Sequence, residues 1–396
     1  MTPAIVINAY NRPYALARLL TSLGRAHYPA GSKIPLVISL DPSEKTPEVR
    51  AVAEQFDWPH GPKNIIVHEQ HLGLVRHFFA CGDLSQTLGS IILLEDDEVV
   101  SPVFYLFAQQ AMTFYAHDEA IGGVSLYALW FNGYTRQPFT PLPDEADVYF
   151  LQVPFTQGPA FTPSQWSGFR DWCAAQHADA GLADRMHPAW FRFPPNDWFP
   201  LLAKYLVATR RYFVCPRVSL VTNFGDTGTH FAQSTLFFQA PLQRGKAVYC
   251  LKPLAESAIV YDSFFELLPE RLNRMTDCLH SYVYDVDLNA IKSRRNLPSE
   301  YVLTSRLCRK ALYSFGKLMQ PMEANVIDQV PGRGIYFCRS DDVRWDRLAE
   351  WSTLKSNYEF SSRGQRPGKR RYLQFALAGL LGNVHVQRLI YGVGRD

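Results

Sequence analysis

Ser90-Ile-Ile-Leu-Leu-Glu-Asp-Asp-Glu-Val-Val-Ser-Pro102 is the stretch on which the reading of this chain turns. Ile91 to Leu94 form an unbroken apolar run, the mark of a strand buried on both faces. The run leads straight into four acids, Glu95, Asp96, Asp97 and Glu98. Ser101 and Pro102 then supply a helix start, an N-cap followed by proline at the first helical position. Carboxylates at the C-terminal end of a buried parallel strand stand where open α/β sheets bind ligands. Four adjacent negative charges repel one another unless a cation neutralises them. A hard divalent ion suits oxygen ligands and bridges phosphates. Neighbouring side chains diverge along extended backbone, so all four acids cannot face one ion. A solvated acidic turn between strand and helix fits the same residues.

Upstream, the chain alternates. Ala4–Ala9 is a short apolar run broken by Tyr10-Asn11-Arg12-Pro13, and Leu16, Leu19, Leu20 and Leu23 follow at the spacing of an amphipathic helix. A second strand over Ile34–Leu40 ends at Asp41-Pro42, and Val49, Val52, Ala53 and Phe56 repeat the helical spacing. Asn64–Val67 predicts a third strand and Leu74–Leu84 a third helix. After the acidic stretch come a helix over Pro102–Tyr115 and a strand over Ile121–Leu126. Strands alternating with helices of this length predict βαβ units and a parallel sheet. Right-handed crossovers then bring Arg12, Asp41 and Glu95–Asp97 to a common edge. No GxGxxG follows the first strand and no GxxxxGK[ST] occurs, which removes the main support for a dinucleotide-binding enzyme or a P-loop NTPase.

Downstream, residues 127–200 are rich in aromatics and proline, with Gln157-Gly158-Pro159-Ala160-Phe161 and Trp190–Trp198 standing out. Aromatic faces beside polar groups suit sugar rings, although core packing accounts for most such residues. Asp197 precedes a helix expected over Trp198–Ala208, where it would serve as N-cap. Val214–Thr222 reads as a strand, and the loop Asn223-Phe-Gly-Asp-Thr-Gly-Thr-His230 has the composition of a ligand-closing loop or a surface turn. Arg306–Met319 reads as a basic amphipathic helix. Arg363-Gly-Gln-Arg-Pro-Gly-Lys-Arg-Arg371 is a basic linker before the apolar stretch Tyr372–Leu381.

The 396 residues carry a net charge of only +3, unevenly placed: residues 291–396 hold 19 Lys/Arg against 9 Asp/Glu. That distribution predicts an acidic body and a basic C-terminal part compatible with peripheral contact at an anionic membrane. The seven cysteines form no CxxC pair and read as cytosolic thiols. Ile5 already begins a strand with no charged leader before it, so no signal peptide is expected, and no apolar run is long enough for a span.

Taken together, the motifs resemble those of GT-A glycosyltransferases, and most closely the family that adds β-1,2-linked GlcNAc to α-mannose in N-glycans. The likeness covers about residues 3–240. It rests on Asn11-Arg12 after the first strand, Asp41 after the second, Arg76-His77-Phe78, Glu95-Asp96-Asp97 with Pro102, Pro195-Asn196-Asp197-Trp198, and a loose match at Pro216-Arg217-Val218-Ser219 and Phe224-Gly225…His230. Asn11 and Asn196 stand where the family has acids.

The resemblance implies an α/β GT-A fold over 1–240, a mostly parallel sheet flanked by helices, and is joined to the expectation of a mainly helical, basic C-terminal region over 241–396. It implies inverting, metal-dependent transfer of a sugar, GlcNAc being one candidate, from a UDP-sugar to a hydroxyl of a glycan or lipid-linked acceptor. Asp197 would be the catalytic base and Asp97 the ligand of Mn²⁺ or Mg²⁺. Arg12 would counter the diphosphate, and Asp41 and His77 would hold the base of the nucleotide. Glu95 and Asp96 would hold ribose or donor-sugar hydroxyls or order metal-bound waters, and His230 would reach the diphosphate or the metal from the closing loop. Lacking the family's membrane anchor and lumenal stem, the chain reads as a cytoplasmic, bacterial relative in surface polysaccharide synthesis, with no nucleic-acid partner. Two other classes fit the same sheet: a nucleotidyltransferase, which would normally show a glycine-rich basic loop where Asn11-Arg12-Pro13 stands, and a non-catalytic carbohydrate-binding protein.

Overall fold

The structure is a computed structural model and describes residues 1–175, 181–194, 197–227 and 234–363. Two compact units divide the chain. The first takes Met1–Leu129, Glu145–Ala183 and Pro188–Glu256; the second takes Trp130–Asp144, Asp184–His187 and the described residues from Ser257 onward. The last change of unit along the chain thus falls after Glu256, beyond the boundary read from the sequence at 240. Residues past 240 are tied into the first unit by Gln243 N, which donates to Ser219 O at 2.8 Å, and by Cys250 N, which donates to Asp147 Oδ2 at 2.7 Å.

The first unit is a mixed α/β domain built on one large sheet. Its opening half follows the expected alternation: β1 Ala4–Ala9, α1 Pro13–Gly24, β2 Leu36–Leu40, α2 Thr46–Gln55, β3 Lys63–Val67, α3 Leu74–Asp83, the single turn α4 Ser85–Leu88, and β4 Ile91–Glu95. β3, β2, β1 and β4 lie side by side and parallel. β1, β2 and β4 are almost wholly buried, as unbroken runs of Ile, Val and Leu require when helices cover both faces of a sheet. Leu16, Leu19, Leu20 and Leu23 of α1 are the buried stripe that their spacing predicts.

The acidic stretch departs from the expected strand-to-helix passage. Asp96 and Asp97 form a tight turn, and Glu98–Val100 makes a short strand, β5, before α5 at Phe104–Phe114. The helix starts two residues later than Ser101-Pro102 implied: Val103 is its N-cap, and Ser101 Oγ accepts from Val103 N at 3.1 Å in the approach to it. Beyond β6 Ile121–Ser125, the sheet continues with β7 Val148–Leu151, β8 Pro159–Phe161 and β9 Tyr212–Pro216, with α6 Pro163–Ala174 and α7 Phe199–Thr209 between β8 and β9. β8 runs antiparallel between β4 and β6, β6 is parallel to β9, and β7 is antiparallel to β9. The single strand expected over Val214–Thr222 is two: after β9 the chain breaks and re-forms as β10 Val221–Asn223, which leaves the large sheet to pair with β5.

In the second unit the expectation of a mainly helical region is corrected. Its described residues hold a four-stranded sheet, order β12-β13-β15-β14, formed by β12 Tyr284–Asp287, β13 Tyr301–Thr304, β14 Tyr313–Phe315 and β15 Ile335–Arg339. Around it lie the short strand β11 Val260–Tyr261, the short helices α8 Pro269–Leu272 and α9 Met322–Ile327, the longer α10 Arg347–Ser361, and 3-10 turns at Arg294–Asn296 and Ser340–Asp342. The helix expected over Arg306–Met319 is absent for a clear reason. Arg306 is buried in an ion pair, and Tyr313–Phe315 takes its hydrogen bonds from β15, leaving Leu312, Leu318 and Met319 exposed. A ladder partner overrides a helical period that has no face to pack against. Residues 364–381, with the rest of the basic linker and the apolar stretch read as a membrane contact, lie outside the described residues. Among the described residues no helix is long and apolar enough to cross a membrane.

Candidate active site

The register of β1 and β4 pairs Asn8 with Glu95, so the loop after β1 and the acidic turn leave the sheet side by side. Backbone bonds lock them: Asp96 N donates to Asn8 O, and Tyr10 N donates to Asp96 Oδ2, both at 3.2 Å. Arg12, just before α1, then reaches both aspartates. Its Nη1 donates to Asp97 Oδ2 at 2.9 Å and its Nη2 pairs with Asp96 Oδ1. Burial works against the guanidinium charge, but Asp96 and Asp97 more than offset it and hold its pKa above the ordinary value. Burial lifts Asp96 to about 6, with Arg12 pulling the other way. Glu95 is pushed further, to about 8, by burial first and then by the charges of Asp97, Asp96 and Asp197, against Arg12. Fewer positive charges than acids converge here, which is the imbalance that the sequence implied.

Asp97 is the acid that keeps an open valence. It is buried at 8% exposure, and its Oδ1 has no hydrogen-bond partner, whereas buried carboxylate oxygens are normally satisfied. An enclosed, unbonded oxygen fits a hard divalent cation. Among the described residues, no three His, Cys, Asp or Glu side chains form a ready metal cage. Among the described residues Asp97 Oδ1 is thus the carboxylate oxygen of the acidic turn left open to such a cation.

Asp197 joins this cluster from a separate element. Trp198 is buried and stacks on Phe78 of α3, ring centroids 3.7 Å apart and planes within 4°. Phe78 in turn meets the edge of Trp166 at 5.4 Å. Phe78 and Trp198, from two segments singled out in the sequence, thus pack against each other. That stack seats Asp197 near enough to Glu95 for its charge to raise the Glu95 pKa. Asp197 also does what an N-cap does: its Oδ1 accepts from Phe199 N at 3.0 Å.

Asp41 and His77 sit one strand away with their polar atoms engaged. Asp41 accepts from Leu72 N at 2.7 Å and Gly73 N at 3.0 Å, and lies 2.9 Å from His71 Nδ1. It pins the loop that starts α3. His77 is 2% exposed, with Nε2 2.8 Å from Ser39 Oγ, and burial lowers its pKa to about 4. His77 is thus neutral in the folded chain but titrates near 6.5 when unfolded. The unfolded chain binds more protons between those values, so stability falls as pH drops from 6.5 to 4, by about 2–3 kcal/mol from this group. His77→Gln is expected to flatten that part of the stability–pH curve, measured by urea unfolding at successive pH values. His230 and Asn196 lie outside the described residues.

Several contacts at the site carry no sequence motif. Glu98 is fully buried and bridges the turn, accepting from Glu95 N at 3.2 Å and Gly158 N at 3.1 Å. Burial, with Glu95 and Asp97 adding to it, holds the Glu98 pKa well above the usual carboxylate range. Gly158 has φ +59°, and a Cβ there would lie 2.9 Å from Leu126 Cβ and 3.0 Å from Val221 Cγ1. The glycine in Gln157-Gly158 was the one readable sign of this close approach. Across the β5–β10 pair, Phe224 N donates to Asp97 O at 3.0 Å. Arg18 of α1 pairs with Asp226 and lies 3.6 Å over the Phe224 ring. The segment after β10 is therefore moored directly to the acidic turn.

Over residues 14–181 the chain matches the family model described as the SPBC1E8.03c C-terminal domain, less than half of its length. It is 23% identical over 251 residues to alpha-1,3-mannosyl-glycoprotein 2-beta-N-acetylglucosaminyltransferase of Arabidopsis thaliana, covering 61% of this chain and 51% of that protein. The chain thus spans about half the length of that relative. Solved structures similar to it include residues 1–349 of S. aureus TarS in complex with UDP-GlcNAc (12% identity, TM-score 0.38, 58% of this chain and 60% of that one). The same fragment in complex with UDP gives 11% identity, TM-score 0.35, and 56% and 60% coverage. A glycosyltransferase stands among the sequence relatives of this mixed α/β chain.

Proposed function

We propose that the first unit transfers a sugar from a UDP-sugar to a hydroxyl of a glycan or lipid-linked acceptor, with inversion and with the help of a divalent cation. The observation that carries this reading is the convergence of two carboxyl sources on one site. Asp97 on the β4–β5 turn keeps a buried unbonded oxygen, and Asp197 before α7 lies near enough to act on the charge of Glu95. Inversion by single displacement needs a base on the side opposite the leaving group, and a carboxylate from a separate element can supply it. Asp197 would take the proton of the acceptor hydroxyl. Arg12 would hold the turn in place and face the diphosphate as its aspartate partners turn outward. Mn²⁺ or Mg²⁺ held by Asp97 would supply neutralisation of charge on the departing diphosphate. UDP-GlcNAc is the first donor to test, given the sequence relative.

Asp97→Ala is expected to weaken UDP binding in the presence of Mn²⁺ by about tenfold or more, one lost charge contact of about 1.5–3 kcal/mol. Without the metal, wild type and variant should bind alike. Titration calorimetry measures both, and equal affinities in Mn²⁺ would remove Asp97 from the metal site.

A further inference from the structure

We propose that the second unit carries a separate binding site for an anionic saccharide, a sugar ring bearing a carboxylate or phosphate. A cavity of about 510 Å³ opens there between the segment after β15 and the turn holding Arg294, inside the usual range for small-ligand sites. Its lining is mostly polar, with a smaller apolar part. Leu297 and Val343 belong to the small core cluster of this sheet, and Trp345 packs against that cluster. Its walls are cationic: Arg294, Arg309 and Arg344 all line it.

The charges do not cancel. Arg344 is held by Asp346, with Nε to Oδ2 at 2.9 Å and Nη2 to Oδ1 at 3.2 Å, and Asp346 also accepts from Ala349 N at the start of α10. That pair is closed. Arg294 and Arg309 have no carboxylate partner among the described residues, and Asp341 is the one further acid on the lining. Two guanidiniums without a carboxylate partner beside one acid attract an anion, and their planar forks suit carboxylate and phosphate oxygens.

Trp345, the aromatic residue of the lining, is held by its neighbours. Arg306 Cζ lies 4.5 Å from the Trp345 ring centroid, and Arg306 is itself buried and paired with Asp287 at 2.8 Å. Arg294 Cζ lies 5.6 Å from the same ring. An indole held in place beside two guanidiniums without a carboxylate partner suits a ligand with an apolar patch and an anionic edge. A charged sugar has that chemistry; inorganic phosphate has only the anion.

The test is calorimetric titration of the full chain with glucose 1-phosphate, glucuronate and inorganic phosphate. Saturable binding of either sugar, tighter than inorganic phosphate, is expected. It should weaken by about tenfold or more in the Arg294→Gln/Arg309→Gln variant, since each removes a charge-assisted contact. Both arginines are exposed, so the variant's melting temperature should match wild type. The glucose 1-phosphate and glucuronate arms separate the two kinds of anion. Absence of saturation by both sugars, unchanged binding by the variant, or inorganic phosphate binding as tightly as the better-bound sugar would overturn the proposal. None of these readouts depends on the first unit being a transferase.

Discussion

Asp197→Asn is expected to lower sugar transfer by about 10²–10⁴-fold while donor affinity stays within a few-fold, if this carboxylate takes the acceptor proton. Asparagine isolates the charge from the structural duty of the residue. Asp197 Oδ1 caps α7 through Phe199 N, and an asparagine oxygen can accept that bond equally well. Asp197→Ala removes both functions, so it should match Asn in lost turnover but cost about 1 kcal/mol more in stability. Initial rates with UDP-GlcNAc, UDP titration and urea unfolding of the three proteins separate the two roles. A second signature comes from Glu95, whose pKa is raised to about 8 partly by the Asp197 charge. Removing that charge should move Glu95 downward, and the pH profile of donor binding with it. Turnover within a few-fold of wild type in the Asn variant would leave Asp197 as a helix cap alone.

What was legible in the sequence is what local pattern determines. Leu16, Leu19, Leu20 and Leu23 had to share a helix face, and Ile91–Leu94 had to be a central strand; both hold. Parallel topology then forced Arg12 and the acidic turn together, and they pair. Long-range partners were not legible. β8 is three residues inserted antiparallel between β4 and β6, and β10 deserts the large sheet for β5. Nothing in Pro159-Ala160-Phe161 or Val221-Thr222-Asn223 announces such a partner. Asp41 shows a second limit. Its position at the end of β2 was readable, but the amides of Leu72 and Gly73 that fill its oxygens come from a loop some thirty residues on. In the second unit the basic run from Arg306 has helical spacing, yet its first arginine is buried and its apolar residues found a strand partner, so composition misled where tertiary pairing decided.

That arginine is where the largest loss of stability is expected. Arg306→Ala should destabilise the second unit by about 3–5 kcal/mol, because it strands a charge that has no route to water. Arg306 is 2% exposed and Asp287 is 0%. The guanidinium donates to Asp287 Oδ2 at 2.8 Å, to Ala290 O at 2.5 Å and to Lys292 O at 3.1 Å. Without it, Asp287 retains the amides of Ile291 and Lys292 at 3.0 and 2.9 Å, but its second oxygen loses its donor and two carbonyls lose theirs. The surface pair Arg339–Glu300 is the internal control, with both side chains more than half exposed. Arg339→Ala should change stability by less than about 1 kcal/mol. Arg306→Lys keeps a charge but not the planar fork, and should fall between the two. The double variant Arg306→Met/Asp287→Asn distinguishes the worth of the pair from the cost of breaking it, since removing both charges avoids the stranded carboxylate and should recover much of the loss. Urea unfolding of the four variants gives the ranking directly, and an Arg306→Ala loss no larger than that of Arg339→Ala would show that water reaches Asp287 after all.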